Sequence, residues 1–274
     1  MTAGPPASVA PTSVAPTSAA KAPVGILGGM GPEATVLLMA RVLAATPAED
    51  DRDHVPLLVD CNSQVPSRIE ALIEGTGESP GPVLAAMAER LVAMGATALA
   101  MPCNTAHAYL PDIRAAAGGV PVLDMIGLTV ERLANLQPKP ERVGMLASTA
   151  IQITGLYGEA LGRHGMQALF PRRQPEVMEV IRAVKRGSNG AAERAALAEI
   201  AASLVEEGAD ALAIACTEIS VIADCLPEVK PSLDAIDVLA DAIVDSTTLQ
   251  NAVLGPGPAS EVKSVGQKNR EFAT

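Results

Sequence analysis

The 274-residue sequence has almost no aromatic side chains: it contains no Trp, two Tyr and two Phe. Proteins that bind single-stranded nucleic acid stack the bases on aromatic rings, so this shortage argues against that class of partner. Positive charge is also in deficit, with 20 Lys and Arg against 31 Asp and Glu and a formal net charge of −11. Because nucleic acids and anionic membranes require clustered cations, the sequence predicts neither as a partner.

Cysteine is scarce as well, and the spacing of Cys61, Cys103, Cys216 and Cys225 is not typical of a zinc site. A chain of this length, with 49% hydrophobic residues, buries its own core and does not need disulfides, so we expect a reduced, cytoplasmic setting. No apolar run has the length of a membrane span. The N-terminus also lacks the basic and apolar regions of a secretory signal.

Short apolar strands alternate with helical patterns along most of the chain, and the predicted elements include a helix at 66–73, a strand at 120–123 and a helix at 152–163. This alternation predicts an α/β fold with parallel sheets, arranged in two similar lobes with the active site in the cleft between them. Pro138-Lys139-Pro140 marks the crossing between the lobes. The predicted organisation is a disordered Pro/Ala/Ser/Thr tail at 1–22, a first lobe at 23–137, a second lobe at 138–230, a closing strand and helix at 231–250, and a loose C-terminal tail at 251–274.

Two segments of the chain have nearly the same sequence. Residues 89–105 and 202–218 each run from the end of a helix through Gly-Ala into an apolar strand, and each strand stops at a cysteine, Cys103 or Cys216. If duplicated halves face each other, the two thiols lie on opposite walls of one cleft. One thiol could then take a proton from a carbon while the other returns a proton to its opposite face. Chance similarity in an alanine-rich chain is the alternative interpretation.

Each of these cysteines is followed by residues suited to capping a helix, Asn104-Thr105 and Thr217-Glu218. A thiol at a helix N-terminus has a lowered pKa, so we predict that both form thiolates readily. The same backbone N–H groups could bind a substrate carboxylate. Cys61 and Cys225 lie outside the repeat, and we interpret them as small buried hydrophobic residues.

Three motifs, Gly28–Thr35, Met101–His107 and Cys216–Ser220, resemble those of the aspartate/glutamate racemase family, and the resemblance covers about residues 23–248. It implies an amino-acid racemase with two pseudo-symmetric α/β domains and Cys103 and Cys216 as its catalytic pair. It further implies that no cofactor is used, neither pyridoxal phosphate nor a metal, and that the protein is a homodimer.

The residues from Asn62 to Arg68 resemble a family segment whose arginine recognises a substrate carboxylate in aspartate-type members. Arg68 is therefore our candidate for the side-chain carboxylate, which a guanidinium can hold through two parallel hydrogen bonds. Lys185, in Val-Lys-Arg-Gly, is the matching cation of the second half. Ile181-Arg182 replaces the aliphatic-aromatic pair that the family implies, which leaves the register of this helix open. A solvated helix face is the alternative for both cations.

The other predicted substrate-binding residues lie at strand ends, after the cysteines, or in the glycine-rich motif: Asn62, Gln64, Asn104, Thr105, Thr149, Thr217, Glu218 and Met30. Those at strand ends could instead satisfy loop backbone. His107 could tune Cys103 or lie further from the chemistry, and His54 has no assigned role. The glycine cluster matches neither nucleotide-binding pattern, so a nucleotide site is not expected.

The sequence therefore predicts a cofactor-independent racemase of an acidic amino acid, aspartate before glutamate. Related superfamily activities remain alternatives, namely those of a hydantoin racemase, a maleate isomerase or an arylmalonate decarboxylase, although a decarboxylase needs only one cysteine. A non-catalytic binder of amino acids or dicarboxylates and a redox dithiol protein are alternatives of other classes.

Overall fold

The computed structural model describes residues 21–254, with side chains described up to residue 247. Residues 1–20 and 255–274, which make up most of the two predicted tails, lie outside the described residues. Residues 251–254, expected to be part of a loose end, form the last turn of a helix. None of the helices described is long and apolar enough to cross a membrane.

Strands and helices alternate along the described chain, as predicted. The strands are β1 Val24–Gly28, β2 Leu57–Cys61, β3 Ala98–Ala100, β4 Arg142–Ala147, β5 Gln167–Leu169, β6 Ala211–Ala215 and β7 Ser232–Asp234. The helices are α1 Pro32–Ala45, α2 Gly81–Ala93, α3 Leu110–Ala116, α4 Met125–Ala134, α5 Thr149–Thr154, α6 Leu156–Arg163, α7 Gln174–Lys185, α8 Ala191–Glu206, α9 Thr217–Ser220 and α10 Ala235–Leu254.

The strands form two parallel sheets, in the orders β2-β1-β3 and β5-β4-β6-β7. Every residue of β1 and β6 is buried, because helices cover both faces of each sheet. This double burial is why these strands read as continuous apolar runs. The predicted α/β class with two parallel-sheet domains is confirmed.

The last helix of each half packs on the sheet of the other half. Val130 and Leu133 of α4 pack with Val143 and Met145 of the second sheet. In return, Ile236, Leu239 and Ile243 of α10 pack with Val24 and Ile26 of the first sheet. The lobe boundaries given above stay a prediction, and helix packing crosses them in both directions. This exchange joins the two halves around one cleft.

The repeat is visible in the packing of two glycines, Gly25 in β1 and Gly144 in β4. A Cβ at either position would collide with a leucine and an alanine of the same half. The close atoms are Leu99 Cδ2 at 2.8 Å and Ala96 Cβ at 3.0 Å for Gly25, and Leu212 Cδ2 at 2.7 Å and Ala209 Cβ at 3.0 Å for Gly144. The same contact between strand and helix end occurs twice, which favours duplication over chance similarity.

Three predicted elements differ from the structure. The expected strand 120–123 is a single bridge between Leu99 and Val122, since Pro121 has no N–H to extend the ladder. The expected helix 152–163 is broken at Gly155, which has φ of 69° and separates α5 from α6. The helix expected at 66–73 contains instead a π-helical turn, Glu70–Glu74.

Candidate active site

A small cavity lies where the carboxyl ends of the two sheets meet, and both repeat cysteines line it. We call it the cysteine cavity, and its volume is about 50 Å³. Met30, Cys103, Ser148 and Cys216 reach it from just after β1, β3, β4 and β6, the side of a parallel sheet where ligands bind. The lining residues are Met30, Ser67, Arg68, Ile69, Cys103, Thr105, Ser148, Ile181, Lys185, Cys216 and Glu218.

Cys103 is a buried free thiol three residues after β3. The ring of His107 supports its backbone: Nδ1 lies 2.9 Å from the Cys103 carbonyl oxygen, and Nε2 accepts the amide of Met125 at 3.1 Å. Because Nε2 is an acceptor, the proton is on Nδ1, and burial lowers the pKa of His107, which favours this neutral form. His107 therefore positions the Cys103 turn and connects it to the start of α4.

Two hydrogen bonds hold the Cys103 loop against the second half of the chain. The hydroxyl of Tyr157 donates to Oδ1 of Asn104 at 2.8 Å, and both side chains are buried. The hydroxyl oxygens of Thr105 and Ser148 lie 3.3 Å apart. These contacts fix the orientation of one thiol relative to the opposite half.

Cys216 occupies the position directly before α9, and its thiol donates to Oε2 of Glu218 at 3.2 Å. The other oxygen of this carboxylate, Oε1, lies 3.5 Å from Nζ of Lys185. The hydroxyl of Ser220 donates to Oδ1 of Asp234 at 2.7 Å, immediately before α10. His107 and Ser220 each lie four residues after a cysteine. They connect the two cysteine turns to α4 and α10, the helices that pack on the opposite sheets.

The predicted lowering of the two thiol pKa values is wrong. Burial raises the pKa of Cys103, with the Arg68 cation opposing the rise. Burial raises the pKa of Cys216 further, and the charge of Glu218 and its hydrogen bond with the thiol add to the effect. Backbone amides after each cysteine do favour the thiolate, but the desolvation of a buried anion outweighs them.

The ionisable side chains other than the thiols that line the cysteine cavity are two cations and one carboxylate: Arg68, Lys185 and Glu218. Nη1 of Arg68 donates to the carbonyl oxygens of Val65 at 3.2 Å and Pro66 at 2.9 Å, so its own loop holds the guanidinium in place. The cavity is therefore positive in a chain whose formal net charge is −11. This local excess of cations suits a ligand with more negative than positive groups.

Seven of the twelve predicted site residues line the cysteine cavity, namely Met30, Arg68, Cys103, Thr105, Lys185, Cys216 and Glu218. Five others lie outside its lining. Asn62 accepts the backbone N–H of Gln64, Gln64 donates to Ser63, and Asn104 accepts from Tyr157. Thr149 accepts from Gln174, and Thr217 is buried in the first turn of α9. Their substrate-binding roles stay predictions.

Four lining residues were missed by sequence reasoning: Ser67, Ile69, Ser148 and Ile181. The repeat contained a signal for Ser148, because it occupies the position of Gly29, next to Met30, in the aligned strands. Ile181 lies one helical turn before Lys185, so a helix with Lys185 on the cavity side brings it to the same wall. Ser67 and Ile69 flank Arg68 in the sequence, so the prediction of Arg68 as a site residue was the available signal for both.

The two remaining cysteines differ from the expected small buried residues. Cys61 is exposed at the end of β2, and Cys225 is only partly buried. Neither belongs to the lining of the cysteine cavity. Among the described residues, no group of three or more His, Cys, Asp and Glu side chains is arranged to hold a metal ion.

Comparison with known proteins identifies relatives that share both sequence and fold. The family model described as Asp/Glu/Hydantoin racemase matches residues 27–243. The solved structure of Picrophilus torridus aspartate racemase is 31% identical with a TM-score of 0.71, over 83% of this chain and 94% of that chain. The broad specificity amino-acid racemase RacX of Bacillus subtilis (strain 168) is 25% identical over 81% of this chain and 97% of its own length. Glutamate racemase from Francisella tularensis, solved with D-glutamate, shares the fold at 18% identity, with a TM-score of 0.60 over 87% of this chain and 85% of that chain.

Proposed function

Since the chain belongs to the Asp/Glu/hydantoin racemase family, we propose that it racemises an acidic amino acid by proton transfer between Cys103 and Cys216, without a cofactor. Aspartate is the first choice of substrate and glutamate the second. One observation carries the proposal: both thiols line one small cavity together with Arg68 and Lys185.

In the proposed reaction the α-carbon of the substrate lies between the two sulfur atoms. One thiolate removes the α-proton from one face, and the opposite thiol donates a proton to the other face. The roles of Cys103 and Cys216 are exchanged when the other enantiomer reacts. Neither step needs a redox change. After one turnover the former thiolate is a thiol and the former thiol is a thiolate, so the pair again holds one proton in total.

The charges around the cavity support an acidic substrate. Arg68 can hold the side-chain carboxylate through two parallel hydrogen bonds, and Lys185 adds a second cation. The backbone N–H groups after each cysteine can receive the α-carboxylate, where they also stabilise the charge that develops as the α-proton leaves.

The proposed reaction needs a thiolate, although burial raises the pKa values of both thiols. The ammonium group of the substrate brings a positive charge to the sulfur atoms, which favours a thiolate. Cys103 also has Arg68 nearby. Cys216 has Glu218 within hydrogen-bond distance, and this carboxylate can accept the thiol proton when Cys216 acts as the base.

The relatives support racemisation of an amino acid more strongly than they support any one amino acid as the substrate. One is named an aspartate racemase and another a broad specificity amino-acid racemase. A hydantoin racemase or a maleate isomerase would use the same pair of thiols on a different ligand, whereas a decarboxylase would need only one of them. A non-catalytic binder would have no need of two thiols lining one cavity, and a redox dithiol protein would have no need of Arg68 and Lys185 beside them.

A chiral assay of the purified protein tests the proposal. Each pure enantiomer of aspartate, glutamate, alanine and methionine is incubated without added cofactor, and the opposite enantiomer is measured by chiral chromatography. We expect both enantiomers of aspartate to react at rates above those of every other amino acid. A protein that leaves aspartate and glutamate unchanged while converting a hydantoin or maleate would contradict the proposal.

The homodimer and the cytoplasmic setting also stay proposals. α1 exposes Val36 and Leu43 on the outside of the first sheet, with side chains 66% and 53% accessible. Two large apolar residues two turns apart on one helix would be covered in a dimer built on α1. The molar mass in solution, measured by light scattering, tests the dimer.

A further inference from the structure

A second pocket lies directly behind the cysteine cavity. We call it the α1 pocket, since it lies at the first turn of α1, and its volume is about 270 Å³ against about 50 Å³ for the cysteine cavity. Its lining consists of Gly31, Pro32, Glu33, Ala34, Lys185, Glu218 and Val221. Pro32, Ala34 and Val221 make much of this wall apolar.

Lys185 and Glu218 are the two residues shared by the linings of both spaces. Their side chains form an ion pair with Nζ 3.5 Å from Oε1. On the α1 side, a Cβ placed on Gly31 would lie 3.9 Å from the same Oε1 atom, so the carboxylate lies against the first turn of α1. The ion pair is therefore the partition between the cysteine cavity and the α1 pocket.

The two residues of this partition differ in exposure and in the number of contacts that hold them. The Glu218 side chain is 13% exposed and also accepts a hydrogen bond from Cys216. Lys185 is the last residue of α7, and its side chain is 46% exposed. A half-exposed lysine in an ion pair is weakly held, because solvent competes for the ammonium group. Lys185 is therefore the part of the wall that is more easily displaced, and it is not hydrogen-bonded to either thiol, although its charge lowers the pKa of Cys103.

We propose that the α1 pocket is a second side-chain subsite, closed by the Lys185–Glu218 ion pair, that takes the unbranched apolar side chain of a longer amino acid when the lysine is absent. This inference rests on the proposed racemase function. The carboxylates of Glu33 and Glu218 disfavour an acidic side chain, and the apolar surface of Pro32, Ala34 and Val221 favours an apolar one. A longer acidic side chain would be repelled from the same space.

Three variants separate the steric effect of Lys185 from its charge. Lys185→Ala removes both the wall and the charge, Lys185→Met removes the charge but keeps a side chain of similar length, and Arg182→Ala removes an exposed cation of α7 outside the cavity lining. The racemisation of L-norleucine and L-aspartate is measured for each. We expect Lys185→Ala to convert norleucine at least about 10-fold faster than the wild type, an effect of the size that a few methylene groups produce in a pocket.

Lys185→Met should gain nothing with norleucine, both Lys185 variants should lose aspartate turnover, and Arg182→Ala should match the wild type. Equal norleucine gains in the two Lys185 variants, or no gain in either, would overturn the subsite. So would a wild type that converts norleucine as fast as aspartate.

Protection of Cys216 from iodoacetamide, followed by peptide mass mapping, reports norleucine binding without turnover. Protection in Lys185→Ala but not in Lys185→Met supports the subsite. If no amino acid is racemised, that second result contradicts only the proposed racemase function. Absence of protection in Lys185→Ala would overturn the subsite while leaving aspartate racemisation unaffected.

Discussion

Glu218 affects both the proposed proton transfer and the electrostatics of the cysteine cavity. Its Oε2 accepts a hydrogen bond from the Cys216 thiol, and its Oε1 pairs with Lys185. The carboxylate raises the pKa of Cys216 through its charge, yet it is also the group that can accept the proton when this thiol acts as a base. Its removal should therefore change thiol reactivity and racemisation in opposite directions.

We predict that Glu218→Gln lowers the pKa of Cys216, because the neutral amide carries no charge to disfavour the thiolate. Alkylation of Cys216 by iodoacetamide should become faster at pH 8, with the rate profile shifted to lower pH. Racemisation should fall by about 10²-fold or more, the usual effect of losing a general base. Peptide mass mapping follows Cys216 separately from the other thiols.

Glu179→Gln, on an exposed face of α7, is the matched control and should leave both rates unchanged. If Glu218→Gln alkylates more slowly than the wild type, or racemises at the wild-type rate, the role assigned to Glu218 does not hold.

At the scale of elements, the same contacts recur in both halves of the chain. Gly25 and Gly144 let β1 and β4 approach a helix end closely, and His107 and Ser220 connect the cysteine turns to α4 and α10. Because α4 and α10 cross to the opposite sheets, each thiol is positioned by a helix that belongs to the other side of the cleft. Packing errors in either strand should therefore destabilise the whole molecule.

We predict that Gly144→Ala lowers the free energy of unfolding by about 1–3 kcal/mol, the usual cost of overpacking a core. The new Cβ would lie 2.7 Å from Leu212 Cδ2 and 3.0 Å from Ala209 Cβ. Gly158→Ala is the control, since α6 leaves open space at that position and alanine favours a helix. Urea unfolding measures both variants, and equal stability of the two would show that β4 tolerates the added methyl group.

A second element-scale prediction concerns Asp234, at the junction of β7 and α10. The side chain is 8% exposed, and burial raises its pKa to about 7, while the hydrogen bonds from Ser220 and the Ile236 amide favour the ionised form. Nearby Asp237 raises this pKa and Arg41 lowers it. Between about pH 4 and pH 7 the folded protein thus holds a proton that the unfolded chain has released.

The stability contributed by this group therefore falls as pH rises through that window, by about 2 kcal/mol between pH 5.5 and pH 8. Asp234→Asn should lack this component, so its unfolding free energy should fall less over the same range. Ser220→Ala, which removes a bond to the ionised form, should move the window to higher pH. Parallel pH profiles for the wild type and Asp234→Asn would refute the assignment.

Particular residues show how far the sequence could predict this arrangement. The repeat located Cys103, Cys216 and the strand ends, because apolar strands, Gly-Ala turns and capping residues are local signals. It could not reveal the raised thiol pKa values, which depend on burial by residues distant in the chain. The break at Gly155 was missed because the flanking residues favour a helix on both sides. Asn62 and Thr149 were grouped with the site by position, but their hydrogen bonds to other residues could be read only from coordinates.

At the scale of the whole molecule, duplication explains why one cavity has two thiols. Each half brings one cysteine to the carboxyl end of its sheet, and the exchange of α4 and α10 joins the halves around the cleft. The cavity gathers Arg68 and Lys185 inside a chain with a formal net charge of −11, so the cations that could bind an acidic substrate are local. The central claim is that the two thiols act on opposite faces of the substrate.

Racemisation in deuterium oxide tests this claim most directly. If Cys103 and Cys216 act as a two-base pair, the product formed early from either enantiomer of aspartate carries deuterium at the α-carbon, while the remaining substrate stays protiated. This follows because the donated proton comes from a thiol that has exchanged with solvent. Cys103→Ser and Cys216→Ser should each abolish racemisation, since an alcohol is a far weaker acid and base than a thiol at neutral pH. Early deuterium in the remaining substrate, or full racemisation by either serine variant, would contradict the account.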